Sequence, residues 1–358
     1  MLEIPSRSAA KKNIEFAVEA AEEGLRHASD ADPGIRRRKA GLGFAYTKDR
    51  GGAVSERDMA RIRSLAIPPA WSDVWICSSP SGHMQATGRD EKGRKQYRYH
   101  PLWTTCRGET KFSSLVEFGR ILTPLRQKME ADMRGRTLSL EKVAATVVWL
   151  LDNVLIRVGN ASYARDNKSF GLTTLRNRHI KVDGGRVKFV FTGKSGKDWN
   201  VGVTDRRIAR IVRSIQELPG QHLFQYVGED GQRRAVTSHD INAYVREATG
   251  AAFTSKHFRT WGGTVYALEG LRVAELPDSK TATKRVLNAE IDKVASLLGN
   301  TRSVCRSCYI HPRLFQSWEQ GSLDDELKAA RSVRITAPGL DDDERLALKW
   351  LTLTSSSR

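Results

Sequence analysis

The stretch SLLGNTRSVCRSCYIHPRL, residues 296–314, sets Tyr309 among Arg302, Arg306 and Arg313, with Asn300 nine residues before it. An unperturbed phenol ionises near pH 10, so tyrosine is a poor nucleophile at neutral pH, with a pKa of about 10. Fixed cations change that, because charge that stabilises a phenolate also stabilises a phosphate under attack. A tyrosine beside arginines is by itself usually structural, so the reading depends on what else the chain supplies. Phosphoryl transfer through a tyrosine needs cations on the non-bridging oxygens, ideally bidentate arginines, and an acid for the departing oxygen. Arg157, Lys194 and Arg259 would supply these from three separate elements. No D-x-D or H-x-E cluster stands out, so arginines would take the part that Mg²⁺ plays elsewhere.

The elements that must position these groups are legible as periodicities. Val143, Val147, Leu150, Leu151 and Val154 recur at helical spacing over 139–157, with Gly159 offering a stop, so this helix delivers Arg157 at its end. Residues 178–203 change period: HIKV, an Asp183-Gly184-Gly185 turn, VKFVF, then GKSGK and DWNVGV. This predicts a small antiparallel sheet with Lys194 and its rival Lys197 in a tight glycine-rich tip. Leu287, Ile291, Val294 and Leu298 mark a later helix ending at Gly299. A straight helix through both Asn300 and Tyr309 would hold their Cα atoms about 13 Å apart. The chain is therefore predicted to bend or break between 300 and 309.

Towards the N-terminus, helices are expected over 11–26 and over 55–65, the latter stopped by Pro68-Pro69. VWICSS (74–79) and HMQATGR (83–89), joined by Pro80-Ser81-Gly82, read as a β-hairpin. A boundary is placed in PLWTTCRGET, giving a small strand-rich domain over 1–106 and a larger, mainly helical domain over 107–358. The charged segment 321–358 is expected to be only loosely attached. The C-x-x-C of Cys305 and Cys308 lacks a second half, since Cys77 and Cys106 stand apart from each other, and reads as two small helix residues. No metal and no cofactor are expected.

Lys and Arg number 59 against 41 Asp and Glu, a formal charge of +18 that implies a polyanionic partner, most commonly nucleic acid. A membrane partner is disfavoured: the longest strongly apolar run, VAATVVWLL, is about half of the ~18 residues a spanning helix needs. The N-terminus lacks the apolar segment of a secretory signal. These features point to a cytoplasmic protein associated with the nucleoid. The eight tryptophans read as core or interface anchors.

RVGNASYARDNKSFGLTTLR, FTGKSGK, SKHFRTWGG and LGNTRSVCRSCYIHPRL, in this order, resemble the four catalytic segments of type IB DNA topoisomerases. KGRKQYRYH (92–100) is similar to the DNA-contacting strand of the poxviral and bacterial branch, and the resemblance runs from about residue 40 to 315. It implies an α+β fold whose two lobes close as a C-clamp around duplex DNA, acting as a monomer that nicks one strand, lets it swivel and reseals it. It implies that Arg157 and Arg259 bind the scissile phosphate, that Lys194 is the general acid, and that Tyr309 becomes joined to a 3′-phosphate. Asn300 stands where poxviral and nuclear members carry histidine. Asparagine can donate to a phosphate oxygen but cannot carry a charge or a proton.

Gln96, Tyr97, Tyr99, Tyr163 and Lys256 lie in the matching segments and are candidate DNA contacts; packing is the competing reading for the strand tyrosines. His257 matches no catalytic position and reads as structural. Two alternatives stay open at this point. A tyrosine recombinase shares the chemistry, although recombinases usually carry His-x-x-Arg where this chain has Lys256-His257-Phe258-Arg259. A non-catalytic DNA-binding protein could retain the fold.

Overall fold

A computed structural model describes residues 24–355, the side chains of 105–111 excepted. The helix expected over 11–26 lies outside the described residues apart from 24–26, which form a turn and an isolated bridge. The chain divides into two compact units between Lys111 and Phe112. The boundary stretch 101–110 lies within one helix, Pro101–Met133, rather than in a linker.

The first unit is built on β1 (Gly34–Ala40), β2 (Gly43–Lys48), α1 (Glu56–Ser64), β3 (Ser72–Cys77), β4 (Met84–Arg89) and β5 (Lys95–Tyr99). The strands form one antiparallel sheet in the order β2-β1-β3-β4-β5, and β3 and β4 pair as the expected hairpin. Ser55 caps α1, its side chain accepting from the Asp58 amide at 3.1 Å. Ile62 of α1 closes a small core with Ile35, Val74, Ile76 and Ala86. At the sheet edge, β5 leaves alternate side chains exposed.

After α2 (Pro101–Met133) come α3 (Leu140–Val154), α4 (Ala161–Asn167), β6 (Ile180–Asp183), β7 (Arg186–Thr192), β8 (Asp198–Thr204) and α5 (Arg206–Gln216). A short hairpin, β9 (Gln225–Val227) and β10 (Arg233–Ala235), precedes α6 (Ser238–Thr249), α7 (Ser255–Leu271), α8 (Lys280–Leu298), α9 (Arg302–Cys308), α10 (Pro312–Glu319), α11 (Leu323–Arg331) and α12 (Asp342–Ser355). Three strands pair in the order β6-β7-β8. One continuous core joins Phe118, Val147, Leu151, Phe189, Trp261, Leu298 and Trp350. Antiparallel sheets beside a mainly helical second unit make the fold α+β.

Two expectations are corrected. α3 stops at Leu155 rather than at Gly159, and Leu155 adopts the left-handed conformation (φ 57°, ψ 21°). That geometry costs a non-glycine residue roughly 1–2 kcal/mol. Its surroundings hold it there: Leu155 is buried against Gly262, where a Cβ would come within 2.8 Å of Leu155 Cδ1, and the Leu155 carbonyl accepts a hydrogen bond from Arg259.

The C-terminal segment, through 355, is firmly packed. Trp350 and Leu351 of α12 are fully buried. Arg126 of α2 pairs with Asp152 at 2.7 Å and with Glu344 of α12 at 2.7 Å, and Trp261 Nε1 donates to Glu344 at 3.0 Å. Its high charge had hidden an amphipathic pattern, because Glu344 is a buried, fully partnered charge.

Candidate active site

The site is organised by α7. Arg259 and Gly263 are one turn apart, so they share a face. A Cβ on Gly263 would lie 2.7 Å from the Tyr309 carbonyl oxygen and 3.2 Å from Tyr309 Cβ, so only glycine lets that backbone rest on the helix. Beside it, Thr264 Oγ1 accepts from the His311 amide at 3.2 Å and donates to the Tyr309 carbonyl at 3.4 Å. Seated this way, the Tyr309 ring centroid is 5.1 Å from the Arg259 guanidinium carbon.

Arg259 is 3% exposed. Its Nη1 donates to the Leu155 carbonyl and its Nη2 to the Leu298 carbonyl, the latter at 2.7 Å. These acceptors end α3 and α8, and each lies two residues before another candidate group, Arg157 and Asn300. One guanidinium therefore fixes the starting points of both.

Arg157 follows on an extended segment: its carbonyl accepts from the Leu172 amide at 2.9 Å, and Gly159 and Gly171 pack backbone to backbone. Its Nη2 donates to Asn300 Oδ1. The predicted break is present, with α8 closing on left-handed Gly299 (φ 56°) and α9 starting after the Thr301 cap. Tyr309 then ends α9.

With its oxygen on Arg157, Asn300 holds Nδ2 buried and without a protein partner, and Arg259 Nε is likewise buried and unpartnered. A buried donor left unsatisfied costs about 1–3 kcal/mol. Two such donors, one on the guanidinium over the Tyr309 ring and one on the amide that binds Arg157, suit an anion with several oxygens. Burial, and then the neighbouring Arg157 cation, lowers the Arg259 pKa to about 10, while Tyr309 opposes the shift. The guanidinium thus stays charged at neutral pH. Burial pushes the Cys305 thiol up to about 11, with Arg259 opposing.

The arginines nearest to Tyr309 in sequence are otherwise engaged. Arg302 pairs with Asp292, its Nε 2.8 Å from Oδ1; Arg306 lies 4.7 Å over the Phe315 ring; Arg313 pairs with Glu326 at 3.2 Å. The guanidinium over the Tyr309 ring comes instead from 50 positions earlier, 309 − 259, and its neighbour Arg157 from 152 positions earlier, 309 − 157.

Lys194 and Lys197 are both exposed in the β7–β8 tip, where Ser195 and Gly196 are left-handed (φ 64° and 72°). The structure does not bring either lysine onto Tyr309. It does fix the base of the hairpin: the Trp199 ring fills the space beside both Gly193 and Gly299, where a Cβ would meet it at 2.7 Å in each case. The tip therefore projects from beside the turn that precedes Asn300.

Of the other candidates, Tyr163 is half-buried on α4 and Lys256 is exposed in the first turn of α7. His257 accepts from the Thr254 amide at 3.0 Å and stacks on Phe118, in keeping with a structural role. In the first unit, Tyr97 and Tyr99 stack with centroids 5.8 Å apart and are each 44% exposed. Gln96 alternates to the other face of β5, where its Nε2 donates to Asp90 at 2.9 Å.

Sequence reasoning missed Gly263, Thr264 and Trp199 as seats for the site. The helical repeat from Arg259 to Gly263 was the available signal. Nothing local marked Trp199.

Comparison with known proteins places these features in context. The model of the catalytic core of eukaryotic DNA topoisomerase I matches residues 103–332, and that of the bacterial DNA topoisomerase IB N-terminal domain matches residues 43–90. The chain is 34% identical over 286 residues to DNA topoisomerase 1B of Acanthamoeba polyphaga mimivirus, an alignment covering 77% of this chain and 85% of that protein. It is 22% identical over 258 residues to DNA topoisomerase 1 of Rabbit fibroma virus (strain Kasza), covering 70% and 78%. Against DNA topoisomerase 1B of Vaccinia virus (strain Copenhagen) the identity is 20% over 226 residues, covering 62% and 68%.

Proposed function

The chain belongs to the type IB DNA topoisomerases, and on that premise we propose that Tyr309 is the nucleophile that opens one strand of a DNA duplex. The phenolate oxygen attacks the scissile phosphorus, the P–O5′ bond breaks, and the DNA is left joined through a 3′-phosphotyrosine. Arg157, Arg259 and Asn300 stabilise the pentacovalent phosphate, and Lys194 gives a proton to the departing 5′-oxygen. Attack by the 5′-hydroxyl reverses each step and returns the proton. Because the phosphotyrosine keeps the energy of the phosphodiester, resealing needs no ATP. With two guanidiniums on the phosphate, the charge stabilisation that metal ions supply in other phosphoryl transfers comes from side chains.

The observation that carries this assignment is the buried Arg259 guanidinium 5.1 Å from the Tyr309 ring, tied through the Leu155 and Leu298 carbonyls to the segments that carry Arg157 and Asn300. Lys194 is exposed in the hairpin tip, and DNA bound there would draw its side chain to the departing oxygen. Tyr97, Tyr99, Tyr163 and Lys256 are exposed enough to meet the duplex, and Gln96 reaches it only by releasing Asp90. The two units close around the duplex as a C-clamp, the protein works as a monomer, and its place is with the nucleoid. No helix among the described residues is long and apolar enough to cross a membrane.

The direct test is relaxation of negatively supercoiled plasmid in EDTA without ATP, by wild type and Tyr309→Phe, with denaturing gels to trap protein joined to a 3′-end. Relaxation and a 3′-adduct by the wild type alone are expected. Adduct formation by Tyr309→Phe would reassign the nucleophile.

A further inference from the structure

The three-stranded sheet carries a charged feature that the proposed chemistry does not use. Lys181 of β6 stands directly opposite Lys188 of β7, and Lys188 in turn opposite Gly202 of β8. Val187, Phe189 and Phe191 bury the other face of β7, so Lys181, Lys188 and Gly202 share the exposed face. The space a side chain would take at Gly202 is filled by Arg186: a Cβ there would lie 3.3 Å from Arg186 Nε and 3.5 Å from Nη2. A row of three cations thus crosses three strands, about 10 Å in width at the usual strand spacing.

Like charges directly opposite one another destabilise a sheet. Relief is at hand but is not taken. Asp183 faces Arg186 in the register, yet none of the three cations forms an ion pair among the described residues. Asp198, near the tip, is held by Thr192 Oγ1 at 3.0 Å. Between the row and the tip, the exposed face offers Val190 opposite Asn200, neither of them acidic.

We propose that Lys181, Lys188 and Arg186 form a phosphate-backbone contact on the flank of the cleavage site, holding the same duplex that the hairpin tip engages. This rests on the topoisomerase reading above. Along β7, Lys188 lies four residues before Thr192, about 14 Å, with Lys194 just beyond. A duplex at the tip presents phosphates at that distance some four base pairs further along its axis, at about 3.4 Å per base pair. The row is wide enough to meet neighbouring phosphates, and an anion there removes the repulsion that the sheet otherwise bears.

The test uses the full chain and a duplex of about 30 base pairs in which one 5′-bridging phosphorothiolate fixes the scissile position, plus two versions trimmed to about three base pairs on one side or the other. Half-saturation of adduct formation is measured against salt for wild type and for the Lys181→Gln/Arg186→Gln/Lys188→Gln variant. Each phosphate contact contributes about 0.9 to the slope of log affinity against log salt, so the variant should lose about 2 to 3 on the long duplex. One of the two trimmed duplexes should give the wild type the same loss and abolish the difference.

An unchanged slope on the long duplex would overturn the proposal. So would a difference that survives both truncations, which would assign the row to other DNA or to general charge. If the wild type formed no adduct, the active-site reading would fall, while direct binding of the same three duplexes would still judge the row. The variant should melt no lower than wild type in low salt, since it loses only repulsion; a lower Tm would make the cations structural.

Discussion

Tyr97 and Arg259 show two ways of presenting a functional side chain. Tyr97 stands on an edge strand, 44% exposed, its ring stacked on that of Tyr99 two residues away. Arg259 is 3% exposed, and the groups it gathers come from α3, α8 and the end of α9. The edge strand of the first unit offers contacts from side chains that stand largely outside the core. In the second unit Arg157, Asn300 and Arg259 are tied to one another through hydrogen bonds. Displayed contacts should therefore fail singly and mildly, and gathered ones together and severely.

The largest effect expected on that view is Tyr309→Phe, which should bind duplex DNA with wild-type affinity and yield no covalent adduct on a denaturing gel. Next, Arg259→Ala or Arg157→Ala should slow single-turnover cleavage by roughly 10³- to 10⁵-fold, the cost of losing an arginine from a transferring phosphoryl group. Arg259→Lys should rescue little, because one ammonium cannot hold both carbonyls and still face the phosphate. Wild-type cleavage by either alanine variant would break the comparison at its stronger side.

Gly263→Ala probes placement rather than charge. Its Cβ would meet the Tyr309 carbonyl at 2.7 Å, so the nucleophile must shift. A displacement of about 1 Å can cost about 10²-fold in rate, and that is the loss expected in single-turnover cleavage with little change in binding. Tyr97→Ala and Tyr99→Ala should each weaken duplex binding by about tenfold or less, with the cleavage rate at saturating DNA affected far less than by Gly263→Ala. A hundredfold loss of cleavage from either would show that the edge strand is coupled to the chemistry.

The smallest effect concerns pH. Burial, followed by the neighbouring His27, holds the His83 imidazole below its ordinary value of 6.5, and its Nδ1 accepts from the Ala28 amide at 3.0 Å. The unfolded chain then binds more protons than the folded one just below pH 6.5, so stability contributed by neutral His83 is present above that value and declines as pH falls through it. Corrected for the slower intrinsic exchange at lower pH, amide protection in β4 should fall between pH 7.5 and 5.5, more than in α7. An equal response of α7 would sink this assignment.

Much of the fold was legible because its signals are local. Period-two runs gave β3, β4, β7 and β8, helical spacing gave α3 and α8, and arithmetic on Asn300 and Tyr309 required the break that Gly299 supplies. Two expectations failed where local signals were weak. Gly159 looked like the stop for α3, yet packing made Leu155 the left-handed residue. The tail from 321 looked loose, yet Arg126 and Trp261 draw Glu344 of α12 into the core.

The sequence by itself determined which residue types were available for phosphoryl transfer, the elements that carry them, and the family resemblance. Only the tertiary structure decided which cations meet the tyrosine. Arg302, Arg306 and Arg313 are near Tyr309 in sequence but turn to Asp292, Phe315 and Glu326. Arg259 and Arg157 are distant in sequence and gather at the site. The physical reason is that proximity along a chain sets only which side chains can turn towards one another within a few residues. Where a buried guanidinium points is fixed by the carbonyls that satisfy it and by glycines that let one backbone touch another, and both belong to segments that meet only when the core closes.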